Sequence, residues 1–157
     1  LGADLRLSLY TDFSLRLLLY LGAVKADGWA TTPDIARTFG ISAHHLHKAV
    51  QGLVRAGFVV AKQGRTGGVR LAREPATIRL GAVVAELEGT GCLIDCGRGP
   101  CPLAAHCLIK QALDAAERGF IRELDRFTLA DVLADRTGAT LGGLIAADRA
   151  RQETPSA

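Results

Sequence analysis

Every cysteine of the chain lies between positions 92 and 107, in the order Cys92-x3-Cys96-x4-Cys101-x5-Cys107. Thiols this close together can join in disulfides, switch between redox states or hold a metal. Two disulfides would suit a secreted protein, whereas in a cytosolic chain so tight a group more often binds metal. Structural zinc is usually held by a tight C-x2–4-C knuckle paired with a second knuckle elsewhere in the chain; here a second knuckle is missing and the spacing is too open for a zinc ribbon. The stretch from Gly89 to Pro102 is rich in Gly, Pro and Cys, has no usable period and is stiffened by Pro100 and Pro102. Thiolates presented from such an irregular loop suit an iron–sulfur cluster, whose irons need ligands on several sides. Spacing alone leaves zinc and thiol redox switching as alternatives. His106 is read as a neighbour of this site, not a ligand.

A second set of chemistry-bearing residues is basic. Residues 1–79 carry 11 Lys/Arg against 5 Asp/Glu, while residues 80–157 carry 8 against 11, within a net charge of +3. A basic first half beside an acidic second half points the first half toward a polyanion. Its candidate contacts fall in two groups: Ser42, His44, His45, His47, Lys48 and Gln51, then Lys62, Arg65 and Thr66. The three histidines could equally be a solvated helix face. No paired general base, phosphate loop or dinucleotide fingerprint accompanies them, which argues against an enzyme.

The elements that must hold these residues follow from capping and periodicity. Thr11 is placed to cap a helix over residues 12–26, apolar on most sides and so buried between layers. Asp12 falls in its first turn, where a carboxylate suits the positive end of the helix dipole. Thr32 as N-cap and Pro33 at the first helical position start a second helix, which Gly40 ends. Ser42 caps a third, with Ile41 and Leu46 as a hydrophobic staple. In it Leu46, Ala49, Val50, Leu53 and Val54 recur at helical spacing, leaving the histidines, Lys48, Gln51 and Arg55 on the other face. Two short helices around a glycine-containing turn, the second basic outside, describe a helix-turn-helix. Residues 58–61 and 69–71 read as paired strands, and the glycine-rich basic tip between them as a wing.

Residues 79–88 give a short amphipathic helix. From Leu103 to about Phe127 a long helix carries Ile109, Leu113, Ala116, Phe120, Leu124 and Phe127 at near-heptad spacing. A small domain cannot bury so long a stripe alone, and a two-fold dimer through it is the simplest remedy. Thr128 caps a last short helix to Asp135; beyond Gly138 the chain is Ala- and Gly-rich, then polar, and is expected to fray.

With 157 residues, 48% of them hydrophobic, the chain can bury one core with an appendage. The expected fold is mainly α with a small β wing: a winged helix-turn-helix over residues 5–78, a cysteine loop and dimerisation helix over 79–136, and a flexible tail over 137–157. No apolar run approaches the roughly 18 residues of a membrane span, nor does the start resemble a signal peptide, so the reading is cytoplasmic. The chain has no Met, and residues 1–5 are treated as extraneous to the fold.

Four features occur together in one order: Thr11-Asp12-Phe13, then Lys48, then Gly64-x-x-Gly67-Gly68 with Leu71, then Cys96…Cys101-Pro102-Leu103…Cys107. This set resembles the Rrf-type winged-helix regulators. Ile78-Arg79-Leu80-Gly81, Val84-Ala85-Glu86-Leu87-Glu88 and Phe127-Thr128-Leu129-Ala130-Asp131 are most similar to the nitric-oxide-sensing repressors among them. The resemblance covers roughly residues 5–136. It implies that Cys96, Cys101 and Cys107 are the thiolate ligands of an iron–sulfur cluster, 4Fe–4S in preference to 2Fe–2S. A fourth ligand would come from Asp12 of the partner subunit. Relatives that regulate cluster assembly use a His three residues after the last Cys, where this chain has Lys110.

The chain departs from that pattern in three places. Four residues separate Cys96 from Cys101 where five are expected, Cys92 is an additional thiol, and Gln63 stands where the wing usually has Arg. Lys62 or Arg65 must then supply the wing's cation. The resulting expectation is a homodimeric transcriptional repressor that binds a pseudo-palindromic operator in double-stranded DNA and takes nitric oxide at its cluster. The competing readings are the same fold sensing iron supply, oxygen or redox state, and a zinc-stabilised winged-helix DNA-binding protein.

Overall fold

The computed structural model describes residues 6–24, 28–64, 67–89, 93, 94, 96, 99, 101–103 and 105–153. Among these the element order is α1 (Leu9–Ala23), α2 (Thr32–Phe39), α3 (Ala43–Arg55), β1 (Val59–Lys62), β2 (Gly68–Leu71), a 3-10 turn (Pro75–Thr77), α4 (Leu80–Glu88), α5 (Leu108–Leu124), α6 (Leu129–Ala134) and α7 (Arg136–Glu153). The fold is mainly helical with one two-stranded antiparallel sheet.

Helix α1 runs through the middle of the molecule and packs against α3, α4, α6 and α7. Leu17, Leu18, Tyr20 and Leu21 are its buried apolar residues, and they meet Ile35, Leu46, Leu53, Val59, Ile78, Val83 and Leu129 in the core. It starts earlier than the sequence predicts: Ser8, not Thr11, is the N-cap, its hydroxyl accepting the Thr11 N–H at 3.2 Å. Thr11 is itself buried inside the first turns. The helix also stops at Ala23, short of the expected residue 26.

The helix-turn-helix forms as the capping pattern requires, with a shift of one residue. Thr31 rather than Thr32 caps α2, its side chain accepting from the Asp34 N–H, and Gly40 ends that helix at φ +63. Ser42 caps α3 as expected, accepting from the His45 N–H. The wing pairs Val59 with Leu71, Val60 with Arg70, Ala61 with Val69 and Lys62 with Gly68. Ala30 extends it by bonding Val69 in both directions, at 2.9 and 2.8 Å.

Helices α4 and α5 meet closely at Gly81, where a Cβ would overlap the Asp125 carboxylate. That carboxylate accepts the Ala82 N–H at 2.9 Å and so caps α4. Helix α5 is shorter than the expected 103–127, because Cys107 occupies its N-cap position and Asp125 its C-cap. None of its residues is buried; Leu108, Ile109 and Phe120 are exposed, Ile109 to 64% and Phe120 to 46%. Thr128 and Asp131 form a reciprocal capping box at α6.

The expected flexible tail is the main correction. Residues 136–153 are the helix α7, which packs on α1, α2 and α6. Leu141 and Ile145 join the core, and one turn further Asp148, only 7% exposed, lies 3.6 Å from the Arg37 guanidinium of α2. Apolar burial plus an ion pair to α2 holds the segment in place.

Candidate nucleic-acid interface and metal centre

Helix α3 turns Leu46, Ala49, Val50 and Leu53 into the core, so its opposite face must carry the polar residues. His44, His45, His47, Lys48 and Gln51 are all exposed there. Two of the side chains are already ordered by neighbours. The His45 ring Nδ1 lies 2.9 Å from the Ser42 hydroxyl, and its ring sits 5.6 Å from that of Phe13 on α1. Gln51 Nε2 lies 3.2 Å from His47 Nε2. A helix end with its own N–H groups facing outward, flanked by such donors and acceptors, can meet base edges and phosphates.

Lys62 is exposed at the end of β1, where the wing begins to turn. Arg65 and Thr66, expected at its tip, lie outside the described residues. Two arginines that the sequence reading did not single out stand at the base of the wing. Arg70 stacks on Trp29, 5.0 Å from the ring centroid, and Arg73 on Phe58 at 5.1 Å. The alternation of β2 could have flagged Arg70, since its neighbours Val69 and Leu71 turn inward.

Cys96 is half-buried and its N–H bonds to the Ile94 carbonyl, Cys101 is exposed, and Cys107 is half-buried at the start of α5. None of the three is joined in a disulfide; Cys92 lies outside the described residues. The Cys107 sulfur accepts the Lys110 backbone N–H at 3.5 Å, the role a serine or aspartate oxygen plays at other helix starts. Lys110, three residues after Cys107, is ion-paired to Asp114 at 2.6 Å. His106 is exposed beside Cys107.

Among the described residues no three His, Cys, Asp or Glu side chains are gathered to hold a metal ion. Among the described residues Cys96, Cys101 and Cys107 are therefore not drawn together into one site, and the fourth expected ligand, Asp12, is one that the partner subunit would supply. Asp12 is engaged elsewhere: Arg16, one turn on, reaches both its oxygens, Nε to Oδ1 at 3.1 Å and a terminal nitrogen to Oδ2 at 2.9 Å. The donor chemistry nonetheless fits an iron–sulfur cluster, which is held by cysteine sulfur. Three of the chain's four thiols are among the described residues, and Cys107 stands where the positive end of α5 suits an anionic centre.

Residues 7–135 match the family described as "Rrf2: Iron-dependent Transcriptional regulator". The chain belongs to the Rrf2 family. Its relatives include the HTH-type transcriptional regulator NsrR of Geobacillus kaustophilus, 43% identical over 135 residues, which span 84% of this chain and 92% of that protein. Among solved structures, T. potens IscR superposes with a TM-score of 0.69 at 28% identity, over 88% of this chain and 93% of IscR. CymR, the global cysteine regulator of B. subtilis, gives 0.61 at 29% identity, over 82% of this chain and 95% of CymR. The Rrf2 match thus extends from the cap of α1 through α6 and stops just before α7. The chain is accordingly a transcriptional regulator with a winged-helix DNA-binding fold. Among its described residues no helix is long and apolar enough to cross a membrane.

Proposed function

We propose that the protein is a homodimeric repressor that senses nitric oxide through an iron–sulfur cluster held by Cys96, Cys101, Cys107 and Asp12 of the partner subunit. One observation carries the reading: Cys107 begins α5, the helix whose apolar residues Leu108, Ile109 and Phe120 are left exposed. A two-fold contact through that face covers surface a monomer leaves wet. It also puts the cysteine segment at the subunit junction, where a carboxylate from the second copy can complete a ligand set that one chain lacks.

On DNA, α3 enters the major groove with Ser42, His44, His45, His47, Lys48 and Gln51, while Lys62, Arg65 and Thr66 of the wing touch the backbone or minor groove. Two copies read a pseudo-palindrome. Bound at the cysteines, a cluster supplies iron with which nitric oxide reacts. The chain's own part is to release the weakest ligand, and a carboxylate is weaker than thiolate toward such iron. Arg16 then receives the freed Asp12 within its own subunit, through the two contacts already described.

The description of the matched family as iron-dependent supports a second reading, in which loss of iron rather than nitric oxide empties the site. Protein purified without oxygen separates these possibilities. A brown protein whose visible absorption and operator affinity both fall on adding nitric oxide supports the first. A change of affinity on iron chelation, with none on nitric oxide, supports the second. A colourless protein with one zinc per chain overturns both. Within the brown protein, Cys96→Ala, Cys101→Ala and Cys107→Ala each abolish the absorption, and Cys92→Ala leaves it intact.

A further inference from the structure

The start of α1 touches the recognition helix α3 through two aromatic residues that flank Asp12. Tyr10 sits against Gly52, which is buried in α3. A Cβ at Gly52 would overlap the Tyr10 hydroxyl and come within 2.7 Å of Cζ, so the phenol occupies the space a side chain would fill. Phe13 lies against the His45 ring at 5.6 Å. Any shift of this first turn is therefore felt at both ends of α3, because packed side chains move as discrete units and do not flow.

The same turn is held from the opposite side by Glu88. This is the last residue of α4, directly ahead of the stretch that carries the cysteines. Its Oε1 accepts the backbone N–H of Ser8 at 2.7 Å, across 80 residues of sequence. The Ser8 hydroxyl donates to the Thr11 hydroxyl at 3.2 Å, and both residues favour the charged form of the same carboxylate. Ser8 is the N-cap of α1, and Thr11 is fully buried behind it. The first N–H groups of a helix have no partner within it and favour a negative charge, so this carboxylate joins the root of the cysteine stretch to the root of α1.

We infer that Glu88 is a positioning residue for sensing: it ties the end of α4 to the start of α1, so that movement of the cysteine stretch is delivered through Tyr10 and Phe13 to the recognition helix of the same subunit. The route runs inside one chain and is separate from the link through Asp12 of the partner subunit. It rests on the sensor reading above and supplies the step by which that sensor reaches DNA. Coupling between two sites of this kind typically changes affinity by about 5- to 150-fold.

The test measures operator affinity by fluorescence anisotropy for full-length protein purified without oxygen, with the cluster present and after its removal, alongside visible absorption. Wild-type protein lacking the absorption would overturn the sensor reading itself, independently of Glu88. Given that absorption, Glu88→Ala keeps it but reduces the ratio of the two affinities by about tenfold. Glu88→Gln, which retains an accepting oxygen, keeps most of the ratio. In cluster-free Glu88→Ala, amide hydrogen exchange at residues 8–13 is faster than in wild type. Gly52→Ala unseats Tyr10 and also flattens the ratio. Gly52→Ala with Tyr10→Ala relieves the clash and recovers DNA affinity while the ratio stays flat. The inference is overturned if Glu88→Ala bleaches the protein, or if Glu88→Ala and Gly52→Ala leave the ratio at its wild-type value.

Discussion

Arg16 grips Asp12 through both carboxylate oxygens, at 3.1 and 2.9 Å, within the first two turns of α1. The two residues are half-exposed, and such a pair contributes about 0–1 kcal/mol to stability. Its consequence lies in competition. Arg16 offers the carboxylate an alternative to iron, so Arg16→Ala leaves Asp12 with one fewer rival partner. The expected outcome is a cluster-bound form that leaves the operator several-fold more slowly after nitric oxide, with a melting temperature close to wild type. Asp12→Ala does the reverse, giving a labile cluster. Stopped-flow absorption read together with anisotropy follows both, and equal rates for Arg16→Ala and wild type would remove Arg16 from the mechanism.

The exposed face of α5 predicts the oligomeric state. Ile109→Glu or Phe120→Glu places a charge where an apolar contact is proposed, and an unpaired charge buried in an interface is strongly unfavourable. Sedimentation should show wild type at twice the 16.6 kDa chain mass and the variants near that mass. Their helix content should be unchanged, because neither side chain is in the core. Wild type sedimenting as a monomer would contradict the dimer.

Helix α7 predicts a stability effect that a loose tail could not produce. Leu141→Ala and Ile145→Ala each remove a buried side chain and should each cost about 2–5 kcal/mol. Asp148→Ala leaves Arg37 of α2 without that partner and should cost less. Urea titration at neutral pH measures all three, and unaltered midpoints would mean that α7 is not docked in solution.

The Glu88 carboxyl predicts a pH dependence of definite sign. Burial raises its pKa, but the hydrogen bonds from Thr11 and Ser8 outweigh burial and hold it below the usual range. A carboxyl depressed in the folded state contributes stability above its unfolded value, about 4.3 for Glu, and loses that contribution as pH falls through the folded value. Asp131 acts in the same direction, lowered by bonds from the Thr128 hydroxyl and backbone. Between pH 6 and 3 wild type should therefore lose more stability than Glu88→Gln, as read by urea midpoints at each pH. Parallel curves would show that the Ser8 and Thr11 bonds do not depend on the charge.

The helix-turn-helix was legible because local signals agree with the tertiary structure there. Ser42, Gly40 and the apolar spacing of α3 each specify the same helix ends that packing does. The start of α1 was misplaced because Ser8 and Thr11 are both good caps, and what decides between them is non-local: Glu88 takes the Ser8 N–H while Thr11 is buried. Helix α7 was missed for a related reason. Its inward residues are Leu141, Ile145 and the carboxylate Asp148, and Gly138, Gly142 and Gly143 weaken its helical signal. At the site, spacing singles out the cysteines and resemblance singles out Asp12, and Cys96, Cys101, Cys107 and Asp12 remain the proposed ligands. Glu88 and Tyr10 were not legible, since their partners are distant in sequence and one of them, Gly52, has no side chain to announce it.

The capping role of Cys107 joins two properties that are separate in most proteins. Its sulfur closes the first turn of α5, and it is also one of the proposed ligands. A change in what that sulfur binds is then a change in how firmly the opening turn of α5 is wound, with Leu108 and Ile109 riding on that turn. Occupancy of the centre and affinity between subunits become two readings of one bond. Such a regulator would lose its grip on DNA partly by losing its grip on its twin.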